Sequence, residues 1–159
     1  MKKVLVTGGA GFIGSHVVRQ ALSNGHNVLN IDNLSYAANH TALQEFLGSP
    51  HYQFAQIDIR DLSRLRPHFQ NFKPNAIMHL AAETHVDRSI DKPQDFIETN
   101  VMGTFNLLEA SIEYWHSLPH DTARAAFRFH HISTDEVYGT LGRTGRFTES
   151  TPYDPHSPY

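Results

Sequence analysis

Cysteine is absent from this sequence of 159 residues. A chain without thiols has no disulfide framework and no thiolate metal site, which excludes the disulfide-stabilised secreted domains and the cysteine-ligated zinc proteins. Histidine is plentiful, with 12 copies, but their spacing gives no metal-binding pattern on a predicted helix. We therefore expect no metal site.

Long hydrophobic runs and a strong charge of one sign are also missing. The formal net charge is −3 at pH 7, which gives no electrostatic case for binding nucleic acid or an anionic membrane. The apolar run at the N-terminus reaches glycine at residue 8 and is too short for a signal peptide or a membrane span. We expect a cytoplasmic protein with one domain, with no nucleic acid or membrane as a partner.

What the sequence does contain is a glycine-rich turn between a predicted strand and a predicted helix. Residues 3–7 form a short β-branched run, and residues 15–24 have helical periodicity. Between them lie Gly8, Gly11 and Gly14, which allow a tight turn and a close approach of phosphates to the backbone amides of a helix N-terminus. We expect the inward face of this helix to consist of Ile13, Val17, Val18 and Leu22.

A second predicted strand, residues 27–31, ends at Asp32. An acidic residue about 20 positions after such a glycine turn accepts hydrogen bonds from the adenosine ribose of a dinucleotide. A carboxylate would also repel a 2′-phosphate, so the pattern favours NAD over NADP. The alternative is a glycine-rich hairpin or a helix cap followed by a chance acid.

Strand and helix patterns alternate along the rest of the chain. Pro67 should kink or shorten one helix, 116–123 is a polar turn, and the prolines after residue 148 predict irregular structure. The alternation predicts an α/β fold, a doubly wound parallel sheet of the Rossmann type. The predicted strands are 52–57, 75–80 and 127–132, and the predicted helices are 41–47, 61–72 and 93–115.

Two adjacent carboxylates follow the last predicted strand. Ser133 and Thr134 precede Asp135 and Glu136, so a hydroxyl, an acid and a base lie where ligands bind in parallel sheets. Neighbouring strand residues point to opposite faces, so the two carboxylates share a site only if the backbone already turns there, which Gly139 favours. As an alternative, Ser133 and Glu136 match a helix capping box.

The longest predicted helix, residues 93–115, carries two apolar stripes. Two stripes predict that the helix packs on the sheet and also on something else, either a partner subunit or a second layer of the same protein. The first stripe consists of Ile97, Val101, Thr104, Phe105, Leu108, Ile112 and Trp115, and the second of Phe96, Gly103, Leu107 and Tyr114.

Taken together, these motifs resemble the extended short-chain dehydrogenase/reductases and, within them, the nucleotide-sugar 4,6-dehydratases. The resemblance covers the whole chain and is most specific at residues 7–14, 80–89, 99–104 and 133–139. The Thr-Asp-Glu triplet is similar to that of the dehydratase branch, whereas related epimerases usually lack the Asp-Glu pair.

The resemblance implies that NAD contacts the glycine turn and the strand ends that follow it. For Asp58, a turn residue without a ligand is the alternative. The implied cofactor-binding residues are Gly8, Gly11, Phe12, Ile13, Gly14, Asp32, Asn33, Leu34, Ser35, Asp58, Ile59, Leu80, Ala81, Ala82, Glu83, Thr84 and Thr99.

The resemblance also implies a reaction, the NAD-dependent dehydration of a nucleotide sugar such as dTDP-glucose to its 4-keto-6-deoxy product. A tyrosinate would take the C4 hydroxyl proton, Glu136 the C5 proton, and Asp135 would protonate the departing C6 hydroxyl. Thr134 would hold the C4 oxygen and Thr84 would touch the sugar. A homodimer is implied as well.

The family's tyrosine is followed four residues later by a lysine. Tyr138 and Tyr153 lack that lysine, so only Tyr159 stands where the catalytic tyrosine would be. We therefore interpret residues 1–159 as one incomplete NAD-binding domain, the N-terminal part of a longer protein, and expect this part alone to be inactive. Two alternatives remain: an NAD-dependent epimerase or decarboxylase of the same superfamily, and a non-catalytic NAD-binding module if 159 residues are the natural length.

Overall fold

A five-stranded parallel sheet forms the centre of the protein. The computed structural model describes residues 1–39 and 41–159. Its strands run in the order β3-β2-β1-β4-β5, so β3 and β5 are the two edges. All five predicted strands are confirmed, and they are β1 (Lys3–Thr7), β2 (Asn27–Asp32), β3 (Tyr52–Gln56), β4 (Ala76–His79) and β5 (Arg128–His131).

Helices connect the strands and cover both faces of the sheet, as the doubly wound prediction requires. The α-helices are α1 (Phe12–Ser23), α2 (Leu62–Phe72), α3 (Val86–Asp91), α4 (Pro93–Phe96), α5 (Thr104–Ser117) and α6 (Asp121–Ala126). The other helical segments of the described residues are two 3₁₀ turns, Gln44–Phe46 and Asp135–Tyr138, and a π-helix, Ile97–Gly103. The described residues contain no helix that is long and apolar enough to cross a membrane.

Each face of the sheet has its own hydrophobic cluster. Leu5 and Ile77 point to one face and pack with Leu65, Phe69 and Leu107 from α2 and α5. Val4, Val6 and Val28 point to the other face and pack with Val18 and Ala21 from α1. Alternate residues of β1 therefore serve opposite layers, which is the pattern of a strand buried on both sides.

The long predicted helix is confirmed over residues 93–117, but its middle is a π-helix, Ile97–Gly103, between α4 and α5. Its two stripes have different surroundings. Leu107 and Tyr114 are buried in the hydrophobic cluster on the sheet and Phe96 is also buried, whereas Phe105 and Ile112 are each 50% exposed. Thr104, a member of the first stripe, is half-buried, and its hydroxyl is hydrogen-bonded to His79 at 2.9 Å.

Several other local predictions differ from the structure. Ile13 does not face inward but is 63% exposed, because it lies in the first turn of α1 beyond the end of the sheet. Pro67 does not shorten α2, which continues to Phe72. Helix α3 was not predicted, and α6 begins inside the predicted polar turn. The irregular segment after residue 148 is confirmed.

Candidate functional site

A cleft of about 660 Å³ opens at the carboxyl ends of the strands. It is the position at which ligands bind in open parallel sheets. All but two of the cofactor-binding residues implied by the resemblance line this cleft. These are Gly8, Gly11, Phe12, Ile13, Gly14, Asp32, Asn33, Ser35, Ile59, Leu80, Ala81, Ala82, Glu83, Thr84 and Thr99.

The glycine turn forms the floor of the cleft. Gly8 has a φ of +74°, and a Cβ there would lie 2.7 Å from the backbone nitrogen of Ala81. A Cβ on Gly14 would lie 2.0 Å from the Gly8 carbonyl oxygen, so α1 can approach the turn this closely only without a side chain. The first-turn amides of α1 have no partners within the helix and face an anion-binding position.

Asp32, at the end of β2, is buried with 7% exposure. Its Oδ2 accepts a hydrogen bond from the Ala10 amide at 2.9 Å, and its Oδ1 accepts one from the Leu34 amide at 2.8 Å. An ionised carboxylate has about four lone-pair directions, so each oxygen can still accept a hydroxyl from a ligand. The two amides hold the carboxylate in place at the wall of the cleft.

The segment after β4, residues 80–84, forms the opposite wall and is held at two points. The side chain of Asn100, from the π-helix, accepts from the Glu83 amide at 2.8 Å and donates to the Glu83 carbonyl at 3.0 Å. The Ala81 amide donates to the Thr7 hydroxyl at 3.3 Å. Oε2 of Glu83 is buried without a hydrogen-bond partner among the described residues, so this oxygen is open to a ligand donor.

Two residues of the implied cofactor set do not line the cleft. Leu34 has a φ of +58° and contributes its backbone amide to Asp32. Asp58 is bound by Arg60 and by Asn33, and its Oδ1 also accepts from the Arg60 amide, the geometry of a turn residue. Burial disfavours the Asp58 carboxylate, but these hydrogen bonds outweigh it and lower its pKa.

The acidic residues after β5 lie in a turn. Thr134 accepts a hydrogen bond from the Glu136 amide at 3.2 Å and caps the 3₁₀ turn, so the cap is Thr134 and not the alternative Ser133. Asp135 and Glu136 are exposed and are not among the residues that line the cleft. The backbone therefore turns at Asp135 and Glu136, as it must if their two carboxylates are to share one site.

Tyr159 does line the cleft, together with Ser133. Its ring contacts the buried Phe96 edge-on, with centroids 6.1 Å apart. The cleft thus brings together residues from the ends of β1, β2 and β4, the segment after β5 and the aromatic ring of Tyr159. Thr134, Asp135 and Glu136 follow directly after Ser133 in the chain.

The sequence interpretation missed Tyr36 and His85, which also line the cleft. Tyr36 follows Ser35, the last of the implied contacts after β2, and His85 follows Thr84, the last of those after β4. Their positions immediately after implied contacts were the available signal. Among residues 1–39 and 41–159, no group of three or more potential ligands is arranged to hold a metal ion.

Comparison with known proteins gives a consistent family. The family model described as GDP-mannose 4,6 dehydratase matches residues 5–159. The dTDP-glucose 4,6-dehydratase of Neisseria meningitidis serogroup B is 56% identical over 161 residues, which is 100% of this chain and 45% of the relative. The chain thus spans less than half the length of this curated relative.

Solved structures agree with the sequence comparison. The dTDP-glucose 4,6-dehydratase DesIV of Streptomyces venezuelae, crystallised with NAD, superposes with a TM-score of 0.85 and 42% identity, covering 99% of this chain and 47% of that one. A UDP-glucose 4-epimerase from Thermus thermophilus, also in complex with NAD, gives a TM-score of 0.83 and 33% identity over 99% of this chain and 46% of the epimerase. The chain belongs to the GDP-mannose 4,6 dehydratase family.

Proposed function

We propose that the intact protein is a cytoplasmic, NAD-dependent 4,6-dehydratase that converts dTDP-glucose to dTDP-4-keto-6-deoxyglucose. The observation that carries the proposal is the Thr134-Asp135-Glu136 turn, which continues the cleft-lining segment of Ile132 and Ser133. A proposed acid and a proposed base therefore follow directly in the chain after residues that line the cleft. Similarity to dTDP-glucose 4,6-dehydratases over the whole chain supports the choice of sugar.

NAD fits the cleft on three features of the chain itself. The glycine turn exposes helix amides to a pyrophosphate, and Asp32 has lone pairs left for a ribose. The unpartnered oxygen of Glu83 offers a further acceptor for a hydroxyl or amide donor. When bound, NAD would supply the acceptor for the C4 hydride and return that hydride to C6.

The chain's own residues divide the proton transfers in this proposal. Tyr159, as its tyrosinate, takes the C4 hydroxyl proton, and Thr134 holds the C4 oxygen while Thr84 contacts the sugar. The ketone acidifies the C5 hydrogen, which Glu136 removes as base, and Asp135 protonates the departing C6 hydroxyl.

The first test is the reaction itself. Incubation of the intact protein with dTDP-glucose and NAD should give a product that has lost one water and carries a C6 methyl group, detected by proton NMR. A product that keeps its C6 hydroxyl and differs only at C4 would identify an epimerase instead. The epimerase is a real second candidate, because the fold matches a solved epimerase with a TM-score of 0.83.

Glu136→Gln tests the proposed base. The amide cannot accept the C5 proton, so we expect C5 hydrogen exchange with deuterated water to fall by at least a hundredfold, the usual contribution of a general base, about 10²–10⁴. NAD binding should persist, because Glu136 is exposed and outside the cleft. Glu149→Gln, in the exposed irregular segment, is the matched control. Wild-type exchange in Glu136→Gln would refute this role.

We also propose that the intact protein is a homodimer that uses the exposed stripe of the long helix. The apolar side chains of this stripe are 36–54% exposed. A contiguous row of exposed apolar side chains is unusual on the surface of a monomer. Its apolar members are Ile97, Val101, Phe105, Leu108, Ile112 and Trp115. Light scattering after size exclusion should give twice the monomer mass, whereas a monomer would exclude the dimer.

A further inference from the structure

The cleft is crossed by a contact between two loops that the sheet holds apart. Tyr36 lies in the loop after β2, and His85 lies just before α3 in the connection after β4. In the sheet order these two strands flank β1 on opposite sides. Any contact between their loops must therefore pass over the carboxyl end of β1, where the glycine turn begins.

Three side chains make this contact. The Tyr36 hydroxyl and His85 Nδ1 are 3.0 Å apart, and the two rings have centroids 5.4 Å apart. Arg88, one turn into α3, places its guanidinium carbon 3.6 Å from the centroid of the Tyr36 ring. Burial and the nearby Glu83 carboxylate raise the pKa of Tyr36, so its hydroxyl stays protonated between its polar neighbours Glu83 and His85.

We propose that Tyr36, His85 and Arg88 form a latch that retains NAD and NADH in the cleft throughout the catalytic cycle. Tyr36 and His85 line the cleft, and Arg88 acts through the Tyr36 ring as a positioning residue. The glycine turn that would hold a dinucleotide begins at the end of β1, between the two loops. We expect a bound dinucleotide to leave past this contact only after the two loops separate.

If the proposed function is correct, on which this argument rests, the reaction requires that NADH stays bound. The hydride that leaves C4 returns to C6 of the same sugar, so the reduced cofactor has to stay until the water has been eliminated. Loss of NADH in mid-cycle would strand a 4-keto sugar that still carries its C6 hydroxyl. A latch on the cofactor side of the cleft prevents that loss without touching the reacting carbons.

The experiment compares cofactor release in variants of the intact protein. Arg88→Gln removes the cation from the ring, and Tyr36→Phe removes the hydroxyl but keeps the ring. Arg66→Gln is the matched control, because Arg66 is a similarly exposed arginine that pairs with Glu113 across α2 and α5, away from the cleft. Release of bound NAD is followed after dilution into a large excess of a fluorescent NAD analogue.

We expect NAD to dissociate about threefold to thirtyfold faster in Arg88→Gln, the range that corresponds to an aromatic–cation contact at a partly exposed site. Tyr36→Phe should show a smaller increase, and Arg66→Gln none. During turnover, excess lactate dehydrogenase and pyruvate consume only NADH that has escaped, so the latch variants should form more lactate per product than the wild type. A structural role alone would not change that ratio.

The latch is refuted if the latch variants release NAD at the wild-type rate and form no additional lactate. Arg88→Lys, which keeps the charge but loses the planar stacking, serves if Arg88→Gln unfolds, and it should give an intermediate rate. Thermal unfolding of every variant separates cofactor release from global instability. If the protein binds NAD but catalyses a different reaction on the sugar, the proposed function is wrong. The NAD dissociation rates of the variants would still test whether the latch retains the cofactor.

Discussion

At the scale of single residues, His79 links strand β4 to strand β1 and to helix α5. It is 1% exposed at the end of β4, with Nδ1 2.7 Å from the Thr7 hydroxyl and Nε2 2.9 Å from the Thr104 hydroxyl. Each of the two hydroxyls can donate or accept, so a neutral imidazole has a partner at both ring nitrogens in either tautomer.

This neutral histidine predicts a pH dependence of stability. Burial, with a smaller contribution from His131, lowers the pKa of His79 to about 4 from 6.5. As pH falls from 6.5 to 4 the unfolded chain takes up a proton and the folded chain does not, so the free energy of unfolding should fall by about 3 kcal/mol. Above pH 6.5 His79 is neutral in both the folded and the unfolded chain, so it no longer makes the free energy of unfolding depend on pH.

Urea unfolding of the intact protein at a series of pH values measures this effect. His79→Gln should lose the pH-dependent part and, at pH 7, should be destabilised by about 1–3 kcal/mol through its disrupted hydrogen bonds. His130→Gln, on the exposed surface of β5, should keep the wild-type dependence. An unchanged pH dependence in His79→Gln would assign the effect to other groups.

At the scale of elements, the glycine turn and α1 fit together because Gly14 has no side chain. In Gly14→Ala the new Cβ would meet the Gly8 carbonyl at 2.0 Å, and a backbone atom cannot rotate away. The helix must shift, at a cost of about 1–3 kcal/mol in the free energy of unfolding. The amides that face the pyrophosphate shift with it, so the Kd for NAD should rise roughly tenfold or more.

Isothermal titration with NAD on the intact protein measures the change. Gly142→Ala is the control, because a Cβ there would meet no atom within 4 Å and its φ is not in the left-handed region. It should leave both NAD affinity and stability unchanged. Equal NAD affinity in Gly14→Ala and the wild type would show that this close approach is not needed for the cofactor.

The strands and helices also show which parts of the fold could be predicted from the sequence. Strand β1 follows from a β-branched run that ends at glycine, and β2 follows from an apolar run that ends at an acid. The cofactor cleft follows from the parallel order of the strands. The π-helix was not predictable, because Ile97–Gly103 has the composition of an ordinary amphipathic helix. The Tyr36–His85 contact joins residues 49 apart in loops without periodicity, so only the sheet order reveals it. The short helices α3 and α6 carry too few apolar residues to give a period.

At the scale of the whole molecule, the long helix has one face on the sheet and one free face. If the free face joins a second copy, Ile112→Asp should put two carboxylates into an apolar interface and give a monomer, because unpaired buried charge is strongly disfavoured. Leu141→Asp, at a comparably exposed leucine outside the helix, should leave the assembly unchanged. Light scattering of both variants checks the expectation, and a dimeric Ile112→Asp would place the contact elsewhere.

The edge strand β5 has a consequence for the behaviour of this chain in concentrated solution. It pairs only with β4 among the described strands, so its outer row of amides and carbonyls has no strand partner there. Such a row is a template for intermolecular strand pairing, the first step of aggregation. Arg128 is exposed at the start of this strand, and its charge should oppose that self-association, because charged side chains on an edge strand disfavour edge-to-edge pairing.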